Sequence, residues 1–198
     1  RGHRFLCPGP VEIPEAARYR EVLSGAGVIV DQEERRGRVA RGVQEAAAAV
    51  NGTAMLSERL LEEVTHLVEH PTAVLGSFDR QHLELPEEVL TTVMAEHQRF
   101  FPVRGPDGRL LPHFVGVRDG GTKGEEAVRA GYERVLQARL VDATFFYNED
   151  LKTPLAARTE RLKEIIFQEK LGSMYDKTLR LQYLAGWLAE RLGLEEDL

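Results

Sequence analysis

A few residues in this sequence are of types and spacings that do chemistry. His66 and His70 stand four apart, a spacing at which two imidazoles on one helix can hold a metal ion. No His-Glu-x-x-His pattern accompanies them and no third ligand stands out, so no metal site is assigned. His97 closes the series Leu90, Val93, Met94, His97 on one predicted helix face. As a general base it needs a neighbouring nucleophile or a polarised water; the alternative is a hydrogen-bonded core histidine. Arg35, Arg36, Arg38 and Arg41 fall within two helical turns, the densest basic cluster in the chain. Guanidinium forks suit phosphate oxygens, and a solvated face paired with Glu33 and Glu34 suits the same pattern. Arg139 and Asp142 lie three apart on a helix apolar over much of its girth, and read as a shielded ion pair. Gly120-Gly121-Thr122-Lys123-Gly124 lacks the spacing of a phosphate-binding Walker loop. There is no Gly-x-Ser-x-Gly elbow and no cysteine–histidine pair, so no catalytic residue is assigned.

These residues need elements to position them. Pro14 opens a predicted helix to about Ser24, and Val28-Ile29-Val30 reads as a short buried strand. Asp31 and Glu34 have the spacing of a capping box for a helix that runs to Val50 and stops at Gly52. Ser57 caps the next helix, with Leu60, Leu61, Val64, Leu67 and Val68 as its buried stripe and Pro71 as its end. Ala73–Phe78 and Leu83–Leu85 read as strands. The chain then centres on Leu85 to Arg118: a helix opened by Pro86, a strand over 100–103, the turn Gly105-Pro106-Asp107-Gly108, and a strand over 110–118. A long helix follows over 125–150, with two stripes side by side. Val128, Tyr132, Val135, Arg139, Asp142 and Phe146 make one; Leu136, Leu140, Ala143 and Tyr147 make the other. A helix through Leu162, Ile165 and Ile166 precedes a last one capped by Ser173 and Asp176, with the stripe Leu181, Leu184, Ala185, Leu188, Leu192 and a stop at Gly193. The fold class is mixed α+β, a small sheet with flanking helices and a helical C-terminal third. The division expected is a mixed domain over 1–150 and a helical extension over 151–198.

Composition narrows the function classes. A chain of 198 residues buries roughly 70% of its unfolded surface. A net charge of −6 argues against indiscriminate nucleic-acid binding, so any RNA contact is a local basic patch. Arg supplies 21 of the 26 basic residues, and no Lys precedes Lys123. The single Cys7 excludes an internal disulfide framework and suits a cytoplasmic protein. No apolar run reaches the ~20 residues of a membrane span, and no apolar segment follows the basic start Arg1-Gly2-His3-Arg4 as a signal peptide requires. The absent initiator Met suggests a fragment of a longer protein.

Six segments in order carry a resemblance. They are Gly2-His3-Arg4-Phe5, Asp31 to Arg35, Leu85 to Val103, Leu111 to Val117, Gly131 to Phe146 and Phe167 to Lys177. The chain resembles the β subunit of the bacterial two-chain glycyl-tRNA synthetase. In that family a helix ending in His-Gln leads to an aromatic-aromatic-Pro-Val strand and then a Leu-Leu-Pro-x-Phe strand, here His97-Gln98, Phe100-Phe101-Pro102-Val103 and Leu110-Leu111-Pro112-His113-Phe114. Tyr132 stands where the family usually has Asn. The resemblance implies the N-terminal half of β, similar in class to the editing-type domain of phenylalanyl-tRNA synthetase β and ending before an HD-like helical domain. It implies a separate α subunit that attaches glycine to tRNA with ATP and Mg, and no cofactor in this fragment. It implies as partners that α subunit, glycine tRNA and the remainder of β.

Three functions follow as alternatives: a non-catalytic part that holds tRNA or scaffolds α, a structural module without RNA contact, or an editing-type hydrolytic domain. The RNA face expected from the Arg cluster and the family-matched positions is Arg4, Arg35, Arg36, Arg99, Arg118 and Arg134. Lys170 and Lys177 face either RNA or the following domain, or else solvent.

Overall fold

A computed structural model describes residues 1–194, which fall into one unit over Arg1–Phe145 and a second from Phe146 on. The first unit opens with a 3-10 turn, Ala16–Arg18, and α1, Tyr19–Gly25. It continues through α2 (Gln32–Ala48), β1 (Thr53–Ala54), α3 (Glu58–Leu67) and β2 (Pro71–Ser77). A 3-10 segment, Arg80–Glu84, leads to α4 (Glu87–Thr92), a π-type turn (Val93–His97), β3 (Phe101–Arg104) and β4 (Leu110–Asp119). The helix α5, Glu125–Leu151, begins in this unit. The strands form one antiparallel sheet in the order β1-β3-β4-β2. This is the mixed α+β class expected.

Strand alternation gives the sheet two apolar faces. Phe101 pairs with Val115, which pairs with Leu75, and this row lies with Val39, Val43 and Ala47 of α2 and Leu60, Leu61 and Val64 of α3 in the main core. The next row, Pro102, Phe114 and Gly76, faces the other way. There Phe100 stacks on Phe114 at 4.5 Å between centroids and meets Tyr132 of α5 at 5.0 Å. Two glycines permit this approach: a Cβ on Gly76 would lie 2.3 Å from the Phe114 ring, and one on Gly116 would lie 2.7 Å from Tyr132. Burial pushes the Tyr132 phenol above its ordinary pKa, with the charge of Arg118 opposing it. The position that raised a question beside the family's Asn is thus a packing position here.

Several boundaries differ from the sequence reading for identifiable reasons. Val28–Val30 is extended but joins no sheet; the Ile29 N–H donates to Glu69 O at 3.0 Å instead. Leu83–Leu85 is not a strand, because Asp79 caps the 3-10 segment by accepting from Gln81 N. The helix α2 ends at Ala48, and Asn51 rather than Gly52 takes the left-handed conformation, at φ 54°. Gly52 is needed for space, since a Cβ there would sit 2.4 Å from Val103. Leu67 is exposed and Thr65 buried: at about 100° per residue Thr65 falls beside Leu61, while Leu67 lies past Leu60 at the edge of the stripe. His97 is exposed: the π-type turn adds a residue to the helical period and rotates it off the Leu90–Met94 face. On α5, Leu136 and Leu140 are fully buried and the stripe through Val135, Arg139 and Asp142 is exposed.

The second unit holds a 3-10 segment (Leu155–Glu164), a short hairpin of β5 (Ile166–Gln168) and β6 (Gly172–Ser173), and α6 (Met174–Leu192). Ile166 therefore sits in a strand, not in the helix expected through Leu162 and Ile165. The Ser173–Asp176 capping box and the left-handed Gly193 at φ 66° delimit α6 as expected. Its leucine stripe is exposed.

Candidate functional site

The densest polar constellation gathers where the N-terminal segment meets the ends of α3, β2 and β4. Asp119 closes β4, and its Oδ1 accepts from Glu69 N and His70 N, each at 2.8 Å. Gly120 N donates to His70 O at 2.9 Å. One carboxylate thereby satisfies the two amides left over as α3 turns into β2. His3, fully buried, lies beside it with Nε2 3.1 Å from Asp119 Oδ1, although the approach is bent and leaves Nε2 without a well-directed acceptor.

His3 is the residue that orders the N-terminal segment. Its backbone N–H donates to Ala26 O at 2.9 Å and its carbonyl accepts from Cys7 N at 2.9 Å. Its Nδ1 accepts from Phe5 N and Leu6 N, each at 3.2 Å. An imidazole nitrogen facing two N–H donors holds a lone pair, so the proton of neutral His3 is on Nε2. This bears on metal binding. Ligand atoms of His3, Glu69 and Asp119 lie within 4.8 Å of one another. A metal on Nε2 would move the proton to Nδ1, against the two amide donors. The donor set therefore fits a structural anchor and does not fit a metal centre.

Beside this anchor runs a cleft of about 580 Å³, lined by Arg4, Tyr19, Arg35, His66, Glu69 and Asp119 among others. It brings together two of the six predicted RNA-facing arginines. They differ in availability. Arg35 donates Nε to Thr65 O at 2.8 Å and Nη1 to Ile29 O at 2.7 Å and Val30 O at 3.3 Å. The guanidinium thus ties α2 to the last turn of α3 and to the extended Val28–Val30. Arg4 is exposed, with its guanidinium 5.8 Å from the Phe5 ring.

The remaining four are not gathered into this cleft. Arg36 pairs with Glu58, and Arg99, held at φ 55°, pairs through Nε with Glu63 at 2.6 Å. Arg118 donates to Lys123 O at 3.0 Å. Arg134 is exposed on α5 and forms no ion pair among the described residues. Of the other α2 cations, Arg38 pairs with Glu34 at 3.0 Å. The alternative read for this cluster, pairing with Glu33 and Glu34, thus describes Arg38, whereas Arg36 is neutralised from α3 by Glu58. At the start of α2, Asp31 accepts from Glu33 N and Glu34 N, and the Glu34 amide above all holds its carboxyl below the usual carboxylate range.

Two sequence calls are corrected here. Arg139 and Asp142 are both exposed and form no ion pair among the described residues. Each helical residue advances about 100°, so these two turn to the flank away from Leu136 and Leu140. His66 and His70 share no helical turn, because α3 stops at Leu67. His66 is exposed, 3.6 Å from Glu62, while His70 lies edge-on to His3 with centroids 6.1 Å apart.

One polar core residue, His82, escaped the sequence reading. Thr144 donates its hydroxyl to Leu140 O at 2.7 Å, so its oxygen accepts from His82 Nδ1–H at 3.1 Å. Nε2 then accepts from the Gln137 amide at 3.1 Å. With both nitrogens used, this buried histidine pins the Arg80–Glu84 segment to α5. The one signal was its place between Asp79 and Leu83, which the strand assignment obscured.

Comparison with known proteins adds the context. The family described as glycyl-tRNA synthetase beta subunit matches residues 1–197. The chain is similar to the glycine–tRNA ligase beta subunit of Moorella thermoacetica, 49% identical over 197 residues, which are 100% of this chain and 28% of that protein. The corresponding subunit of Synechocystis sp. is 46% identical over 197 residues, 100% of this chain and 27% of that protein. That of Clostridioides difficile is 45% identical over 197 residues, 100% and 28% respectively. The chain thus spans little more than a quarter of the length of these curated relatives.

Proposed function

Because the chain belongs to the glycyl-tRNA synthetase β-subunit family, we propose that it is a non-catalytic part of a cytoplasmic glycine–tRNA ligase. On this reading the whole enzyme attaches glycine to its tRNA, with ATP and Mg used at a separate α subunit. This portion gives the β chain a rigid platform and touches the tRNA backbone at few points. The observation that carries this is the occupation of its polar groups. His3, His82 and Arg35 are spent on internal hydrogen bonds, and Arg36 and Arg99 are neutralised by Glu58 and Glu63. A guanidinium already committed to three carbonyls cannot present its fork to a phosphate. With Arg118 held to Lys123 O as well, the RNA contact narrows to Arg4 and Arg134.

The test uses the full β subunit with its α subunit. Glycine activation, read as exchange of pyrophosphate into ATP, is expected to be unchanged by Arg4→Glu with Arg134→Glu. Glycylation is expected to show a raised KM for tRNA at unchanged kcat. Loss of the exchange reaction, or hydrolysis of mischarged tRNA by this chain, would overturn the non-catalytic reading. Among the described residues no helix is long and apolar enough to cross a membrane.

A further inference from the structure

Phe5 is the most exposed large apolar side chain of the first unit, at 73%. A loose chain is not the reason. Its amide and that of Leu6 donate to Nδ1 of the buried His3, each at 3.2 Å, and the Cys7 amide closes the turn on His3 O at 2.9 Å. The turn sits against Gly27, at φ 80°, where a Cβ would lie 3.1 Å from both His3 Cβ and Leu6 Cδ1. A phenylalanine on a flexible tail can fold back onto the nearest apolar surface. One held on an ordered turn stays in water, without the gain of burial. Beside the ring stands Arg4, its guanidinium 5.8 Å from the centroid and in no ion pair among the described residues. Tyr19, 44% exposed, lines the same cleft as Arg4.

We propose that Phe5 and Arg4 together hold one unpaired nucleotide of the tRNA, its base stacked on the Phe5 ring and a phosphate on the Arg4 fork. The proposal rests on the reading of Arg4 as an RNA contact and adds what kind of RNA it meets. A ring and a guanidinium side by side match the two parts of a nucleotide, a flat π-face and an anion. Within a duplex each base is covered by its neighbours above and below. Only an unpaired or terminal nucleotide can therefore turn a face to a side chain. The surrounding charges set the length of the contact. Glu69 and Asp119 line the cleft with Arg4 and repel a run of phosphates along it. The strand is thus held at one point and not tracked along the surface.

Two measurements on the full β subunit with its α subunit test this. The first is glycine tRNA affinity, by fluorescence anisotropy over a range of salt. Phe5→Ala is expected to weaken binding roughly 5-fold to 100-fold, as the loss of one stacked base does. The slope of log affinity against log salt is expected to stay unchanged, because no phosphate contact is lost. Phe5→Trp is expected to keep the wild-type affinity. Phe5→Leu, apolar but without a π-face, is expected to bind as weakly as Phe5→Ala. The second measurement places a benzophenone-bearing phenylalanine at position 5 and maps its photo-crosslink on glycine tRNA by reverse-transcription stops. The crosslink is expected at an unpaired nucleotide. A crosslink within a base-paired stem, or to the α subunit in place of tRNA, overturns the proposal, and so does full rescue by Phe5→Leu. Arg4→Glu separates the two readings. A lowered salt slope in Arg4→Glu beside unchanged affinity in Phe5→Ala overturns the stacking alone. No effect of either substitution overturns the RNA contact at Arg4 with it.

Discussion

At the residue scale the chain spends its chemically capable side chains on cohesion. His3 shows this most clearly: one imidazole orders the turn Phe5–Leu6 through Nδ1 and faces Asp119 through Nε2. Nitrogen NMR is expected to find Nδ1 as the unprotonated nitrogen. Added Zn²⁺ is expected to leave the melting temperature unchanged, whereas a metal centre would raise it. His3→Ala removes the acceptor for two amides and is expected to cost about 2–3 kcal/mol. Arg35→Lys keeps the charge but loses the planar fork that reaches Thr65, Ile29 and Val30, at an expected cost of about 1–3 kcal/mol. Arg134→Ala, on an exposed position, is expected to stay within about 0.5 kcal/mol. Denaturant midpoints at constant slope check all three. Sequence marked Arg35 as cationic but could not mark it as internal, because its acceptors are backbone carbonyls up to 30 positions away. Backbone acceptors leave no trace in side-chain types.

At the element scale, local signals were legible and rotations were not. The Ser57 cap, the Gly105–Gly108 turn and the Ser173–Asp176 box depend on side chains within three or four positions, and each is present. The inward face of α5 and the place of His97 depend on a neighbouring element and on an inserted π-type turn, so periodicity alone misassigned them. Close approach is a further consequence of packing. Gly76→Ala would push a methyl into the ring of Phe114, which is fully buried and stacked on Phe100. The expected loss is about 1–3 kcal/mol, read by thermal unfolding. The helix caps carry a pH dependence. The Ser173 amide, and then its hydroxyl, hold the Asp176 carboxyl below its ordinary pKa, and amide donors do the same for Asp31. A lowered folded-state pKa gives stability that is complete above the ordinary carboxylate range and is lost as pH falls through the lowered value. The first turns of α2 and α6 are therefore expected to fray only below about pH 4. Asp176→Asn is expected to remove that dependence in α6, as read by amide exchange.

At the scale of the whole molecule, the two units are held by different means. The first has a sheet with apolar side chains on both faces. The second has well-capped ends and no buried residue. The mixed α+β class was readable because strand alternation and helical periodicity both survive in the sequence. The exposure of the α6 leucines was not, because a leucine stripe reads the same in sequence whether it is buried or exposed. A net charge of −6 argues against indiscriminate nucleic-acid binding and leaves room for a local cationic contact.

The most direct measurement is a titration of the full β subunit, paired with its α subunit, against glycine tRNA, followed by fluorescence anisotropy between ~50 and ~200 mM salt. The wild type is compared with Arg4→Glu plus Arg134→Glu and with Arg36→Glu. The double variant is expected to weaken binding and to lower the slope of log affinity against log salt by about 2, roughly one per lost phosphate contact. Arg36→Glu is expected to leave that slope unchanged, since Glu58 already neutralises its side chain. An unchanged slope in the double variant, or a lowered one for Arg36→Glu, would contradict the assignment of the RNA contact to Arg4 and Arg134.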